Sequence, residues 1–185
     1  MKKKFHYIIM SLAAIIMFLV GWTTYKPKQL NEAPASLANE YKSIKEMAVN
    51  TPLIAQVEVL TNPSTFSYNK VLFSTNQVKV IRNFKGAEKL SKITILDNGG
   101  VYKNIEYGIG GTPLMHIGEK YLLFLEKYVG PMMREDAYVI KGVWQGKIKI
   151  NSNDEFKYLG PSDENIELQR DIGKYQLKSI QTQIN

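Results

Sequence analysis

The sequence predicts a mainly β domain, a small barrel or sandwich, carried behind an apolar amino-terminal helix. Three observations predict it. Lys2, Lys3 and Lys4 stand directly before an apolar run from Tyr7 to Trp22. After it, about six short stretches rich in Val, Ile, Leu and Phe recur between turn residues, the spacing of a small all-β fold. The chain has no cysteine, so nothing staples the fold and a packed core must hold it.

The amino-terminal run has the charge and apolarity of an export signal or a membrane anchor. A spanning helix needs about 20 residues, with a range of about 17–25. Phe5 to Trp22 supplies 18, with Tyr7 and Trp22 at the two interfaces. A cleavable signal needs small residues after its apolar core, and Trp22 and Tyr25 are bulky there. The sequence therefore favours a retained anchor over residues 1–22, with cleavage as the alternative. Lysines at 2–4 outweigh Lys26 and Lys28, which puts the carboxy-terminal domain outside the cell membrane. Residues 23–35 are polar with two prolines and read as a linker, leaving 36–185 as the extracytoplasmic domain.

Each later element has its own signal. Ser36 is a candidate cap for a short helix whose apolar face holds Leu37, Tyr41, Ile44 and Met47, ended by Pro52. Leu53–Leu60 reads as a strand, followed by a turn at Asn62-Pro63-Ser64. Lys70–Phe84 alternates in two halves, with a bulge or turn expected at Ser74–Gln77. Lys92–Ile95 alternates and is expected to stop at Asp97-Asn98-Gly99-Gly100, where glycine suits positive φ. Residues 101–116 read as an irregular, glycine-rich segment. Tyr121–Leu125 is continuously apolar, the mark of a strand buried on both faces. Tyr121, Leu123 and Leu125 are then expected on one face, Leu122 and Phe124 on the other. Ala137–Ile140 is a further strand, and Lys147–Ile150 with Phe156–Tyr158 reads as a hairpin. Pro161-Ser162-Asp163 starts a candidate carboxy-terminal helix that Gly173 weakens.

The order of these motifs carries a resemblance. Val78-Lys79-Val80 leads to Phe84-Lys85-Gly86, then Ile93-Thr94-Ile95, Gly99-Gly100 and Gly118-Glu119-Lys120-Tyr121-Leu122-Leu123-Phe124. Over roughly residues 50–160 this resembles the netrin-like domain of tissue inhibitors of metalloproteinases, and uncharacterised surface proteins of Gram-positive bacteria with the same series. The resemblance implies an OB-like β-barrel of about five or six strands. In those inhibitors the amino-terminal cysteine meets the target's zinc. Without any cysteine, that mechanism does not carry over.

Composition excludes several functions. The net charge is +7, but residues 1–30 hold five lysines and no acid. The remaining 19 basic and 17 acidic residues leave +2, which demands no nucleic-acid stripe, although Phe66, Tyr68, Phe73, Tyr102 and Tyr107 offer rings. Gly108–Thr112 lacks the Gly-Lys-Ser/Thr of a phosphate loop. Asn151, Asn153, Asp154 and Glu155 lie between strand signals and read as a turn, not a calcium loop. No metal or other cofactor is expected. His6 belongs to the apolar segment, and His116 has no recognised triad or zinc spacing around it.

The sequence reading is a membrane-anchored or secreted binding module. Its partners are the membrane, through residues 5–22, and another surface protein, an extracellular enzyme or a wall polymer, without nucleic acid. Contact is expected at loops 62–69 and 103–115, with Tyr107, Met115 and His116 as candidate binding residues. The alternatives are an extracytoplasmic hydrolase using carboxylates such as Glu106 and Glu119, or a structural part of a surface complex.

Overall fold

A computed structural model of the chain describes residues 30–33, 40–86 and 90–184. Helix α1 (Ile44–Val49) comes before the barrel, as expected, but it is capped by Ser43, whose Oγ accepts from Glu46 N at 3.2 Å. Ser36 lies outside the described residues, as does the apolar run at 1–22. Among the described residues no helix is long and apolar enough to cross a membrane.

Five strands close into a ring: β2 (Leu53–Val59), β4 (Val71–Lys85), β5 (Lys92–Tyr102), β7 (Lys120–Lys127) and β8 (Tyr138–Ile140). β2 pairs antiparallel with β4 on one side and β7 on the other. β4 pairs with β5 and β7 with β8, both antiparallel. A parallel contact of β5 with β8, Ile95 opposite Tyr138 and Leu96 opposite Val139, completes the ring. Two bulges of β4 against β2, at Ile54/Ala55 and Gln56/Val57, let the long strand bend around the wall.

The continuous apolar runs have a direct explanation. Val57, Val59, Tyr121, Leu123 and Leu125 join Val78, Ile93, Ile95, Tyr138 and Ile140 inside the barrel. Ile54, Leu122 and Phe124 point the other way, into a second core under α1 and two carboxy-terminal helices. Those helices, α2 (Ile166–Ile172) and α3 (Gln181–Ile184), replace the single helix expected there; the break follows Gly173. Asp171 of α2 accepts from Ile44 N at 3.0 Å, so one helix caps the other.

Several expectations are corrected. Ser74–Gln77 holds neither bulge nor turn: β4 runs through it, in register with β5 from Phe73 to Lys79. The turn at Asn62–Pro63 leads at once into β3 (Ser64–Tyr68), which pairs with β4. β5 does not stop at Gly100 but reaches Tyr102, and residues 105–109 form β6 (Ile105–Ile109) beside it. Both hairpins turn on two residues at positive φ, Asn69–Lys70 and Lys103–Asn104. That is the hairpin geometry most often served by glycine, and here no glycine marks it. Glycine is needed instead where β5 swings from β4 to β6. Gly99 has φ 107°, and a Cβ on it would lie 2.2 Å from Tyr107 O. Within 23–35, Leu30–Ala33 form β1, parallel to β6. β9 (Lys147–Ile150) and β10 (Phe156–Lys157) make the expected hairpin at the other edge.

Leu123 is fully buried in the barrel interior. An unpaired carboxylate there costs several kcal/mol or more, against a total stability of about 5–15 kcal/mol for a domain. Leu123→Asp is expected to unfold the domain by circular dichroism, while Leu123→Met costs less than about 1.5 kcal/mol. A folded Leu123→Asp protein would refute the placement of β7.

Candidate functional site

The connection from β6 to β7, residues 110–119, folds over one mouth of the barrel and gathers most of the chain's unusual polar groups. Glu106 on β6 reaches into it. Its Oε2 lies 3.0 Å from His116 Nε2, and its Oε1 accepts from Leu114 N at 2.6 Å. Glu119, just before β7, holds the other end. Its Oε2 accepts from His116 N at 2.9 Å and from the Tyr121 hydroxyl at 2.6 Å, and its Oε1 is ion-paired with Lys149 of β9. His116 is thus tied to one carboxylate through its ring and to another through its backbone.

A buried ion pair lies nearby. Lys147 and Asp97 side chains are 3% and 6% exposed, with Nζ and Oδ2 2.7 Å apart. Lys147 Nζ also donates to Pro113 O at 3.0 Å, and Asp97 Oδ1 accepts from Asn98 N at 2.9 Å. Asn76 of β4 donates to Thr61 O at 2.7 Å and Met115 O at 3.0 Å. The loop backbone is therefore held at Pro113, Leu114, Met115 and His116 by side chains of four strands or their ends. A cavity of about 10 Å³ beside Asp97, Thr112, Trp144 and Lys147 is the size of one water.

The ionisation of these groups follows from their neighbours. Burial raises Glu106, but the hydrogen bonds from His116 and Leu114 N–H and the charges of His116 and Lys147 outweigh it, leaving its pKa lowered. Burial likewise opposes the charge on Glu119, and Lys149, Tyr121 and His116 N–H overcome it, again lowering the pKa. The hydrogen bond to Glu106 raises His116 against burial, with the charges of Glu106 and Glu119 adding to it. Burial and the bond to Glu119 push the Tyr121 hydroxyl far up, so it stays protonated and donates.

Of the three candidate binding residues, the structure does not make one surface. His116 sits in the cluster, partly exposed. Tyr107 is half-buried on β6, and strand alternation puts it on the face opposite Glu106. Met115 is fully buried in the barrel interior and is corrected from a contact residue to a core residue. Sequence reasoning missed Asp97, Lys147 and Lys149. Lys147-Ile148-Lys149-Ile150 alternates as a strand with one wet face would. The polar face is instead covered by the 110–119 connection, which alternation cannot reveal.

No protein-family model and no curated protein matches this chain. The site has an imidazole paired with one carboxylate and a second carboxylate on the histidine's backbone N–H, yet every oxygen of both carboxylates is engaged with a loop N–H, the histidine, a tyrosine or a lysine. Surface hollows of about 390 Å³ at Lys92 and Tyr138 and about 270 Å³ at Tyr41 and Leu168 have no lining residue from this cluster. Among the described residues no group of three or more His, Asp or Glu side chains is placed to hold a metal ion. Asn151 uses its Oδ1 to accept from Asn153 N and Glu155 N, both at 2.9 Å, as a turn residue does.

Lys147→Met leaves Asp97 buried without its cation and is expected to cost about 3–5 kcal/mol in urea unfolding. Adding Asp97→Asn removes the stranded charge and recovers most of that loss. If the double variant is no more stable than the single one, the pair does not act as a buried ion pair.

The latch around His116 has a defined pH window. A raised histidine pKa contributes fully below its ordinary value of 6.5 and is lost as pH rises through the raised value. Lowered carboxylates contribute above their ordinary 4.5 and are lost as pH falls through the lowered values. The stability difference between the native chain and His116→Gln, measured by urea unfolding, is expected to peak between pH 4.5 and 6.5. A difference that does not fall above that window would show that His116 gains nothing from Glu106.

Proposed function

We propose that this chain is an extracytoplasmic binding module, held at the cell membrane by residues 5–22 or released by cleavage, which acts by contact and not by catalysis. One observation carries the reading: the acid–base groups at the barrel mouth are spent on each other and on the loop backbone, while Tyr68, Val71, Val101 and Tyr102 place exposed apolar side chains beside the turns of two hairpins that pack together. Tyr68 and Val71 flank the β3–β4 turn, 37% and 47% exposed, and Phe66 stacks on Phe73 behind them with centroids 5.9 Å apart. Scattered apolar side chains need no explanation, but a group on one hairpin is the composition of a contact surface. The partner is another surface protein, an extracellular enzyme or a wall polymer.

The closed five-stranded ring supports the OB-type, netrin-like reading. Around it the strands follow β2–β4–β5–β8–β7, an antiparallel wall sealed by one parallel contact, which is compatible with a five-stranded barrel of the OB type. Loops at one end of such barrels carry ligands in many proteins, which is analogy and not chemistry of this site. The hydrolase reading through Glu106 and Glu119 keeps one observation in its favour, that both flank His116.

A tagged full-length chain, crosslinked in intact cells, is expected to capture one dominant surface partner. Tyr68→Ala with Val71→Ser changes stability by no more than about 0.5 kcal/mol, because both positions are exposed, and abolishes the capture. Glu106→Gln keeps it. Capture that ignores the hairpin variant would refute this contact surface. A hydrolytic activity lost in Glu106→Gln and Glu119→Gln would replace the binding reading altogether.

A further inference from the structure

β1 shows where the amino-terminal segment meets the domain. It runs parallel to β6, with Leu30 opposite Glu106 and Ala33 opposite Ile109. Parallel strands point the same way, so the end of β1 that receives residues 1–29 lies at the start of β6. β6 starts at Ile105, one residue before Glu106 and directly after the Lys103–Asn104 turn. Leu30, the first residue of β1, therefore lies beside this turn.

The turn has the composition of a membrane interface. Val101, Tyr102, Lys103 and Asn104 are all exposed, Tyr102 at 53%. Lys103 Nζ lies 5.3 Å from the Tyr102 ring centroid, an amphipathic ring beside a flexible cation. No acidic residue occurs from Asn98 to Ile105, and Glu106 is turned inward onto His116. Tyrosine and lysine are the side chains that reach from an apolar boundary to headgroups.

Length restricts the geometry further. Residues 23–29 separate the apolar run from β1, and seven residues span at most about 25 Å. A domain of this size has a radius of gyration near 15 Å and is about 40 Å across. With residues 5–22 as the anchor of the reading above, that reach is shorter than the domain, which would keep the face carrying Leu30 at the bilayer. Lys26 and Lys28 on the tether add positive charge on the same side.

We propose that the β5–β6 turn, Val101–Asn104, docks into the headgroup layer of an anionic membrane, with Tyr102 at the acyl boundary and Lys103 on lipid phosphate. This rests on the anchored form of the reading above. Thr65 Oγ1 accepts from Val101 N at 2.8 Å, so the β3–β4 hairpin packs against the docked strand and its exposed side chains meet partners close to the membrane.

The absence of native cysteine makes the test clean. Val101→Cys and, at the far edge of the sheet, Asn153→Cys are each introduced into the full-length chain, nitroxide-labelled and reconstituted in phosphatidylcholine vesicles with or without phosphatidylglycerol. With phosphatidylglycerol, the label at position 101 is expected to be several-fold less accessible to a water-soluble nickel chelate than the label at 153, and more accessible to oxygen. Tyr102→Ser with Lys103→Glu, added to the position-101 variant, returns that label to water while the chain still floats with the vesicles. If the chain floats but position 101 is as accessible to nickel as 153, the anchor stands and the docking is overturned. If protection survives the Tyr102→Ser, Lys103→Glu change, this turn is not the docking element. If the chain does not float, the anchor reading fails and the docking with it.

Discussion

The fold depends on a barrel wall that is apolar on both faces. β7 carries it furthest: all five residues from Tyr121 to Leu125 are fully buried. Odd positions fill the barrel, and even positions form the floor on which α1, α2 and α3 rest. A strand with one wet face could support one of these cores but not both. The short helices have little stability of their own at four to seven residues, so packing on this wall is what keeps them helical. The wall therefore holds together an interior and an exterior core that share no side chains.

The barrel mouth follows a different logic. Burying two ions costs several kcal/mol each before their attraction offsets it, so Lys147 and Asp97 are poorly explained as a source of net stability. What they do is specify: Lys147 also takes the Pro113 carbonyl, and Glu106, Glu119 and Asn76 take up its neighbours. A glycine-rich connection with little local preference is given one path by four polar anchors. The same economy decides the chemistry. A carboxylate whose lone pairs are committed to backbone N–H groups and cations is a weak base. The barrel interior is filled by apolar side chains, and the anchored connection lies over its mouth.

The candidate site was only partly legible in the sequence. His116, Glu106 and Glu119 stood out by type, yet their convergence depends on β6, which no glycine turn announced. Lys103 and Asn104 adopt positive φ without glycine, so the hairpin that brings Glu106 to His116 read as an irregular segment. Met115 misled for the opposite reason. A methionine beside a loop histidine suits a contact surface and a core equally well, and adjacent residues of an extended chain point in opposite directions. One neighbour entered the barrel and the other entered the polar cluster. Lys147 and Lys149 carried the pattern of a solvated face because alternation reports that two faces differ, not what covers each.

By itself the sequence determined the class of fold, the doubly buried strand, the hairpin at 147–157 and the helix before the barrel. These rest on local physics: apolar periodicity, β-branched content and turn residues act within a few positions of the chain. Only the tertiary structure decided which strands meet. The β5–β8 contact that closes the ring joins residues more than forty positions apart. The ion pair of Asp97 with Lys147 spans fifty, and β1 beside β6 joins residues more than seventy apart. Such contacts depend on geometry summed over every intervening turn, including two whose residues gave no sign of turning, and no local pattern encodes that sum.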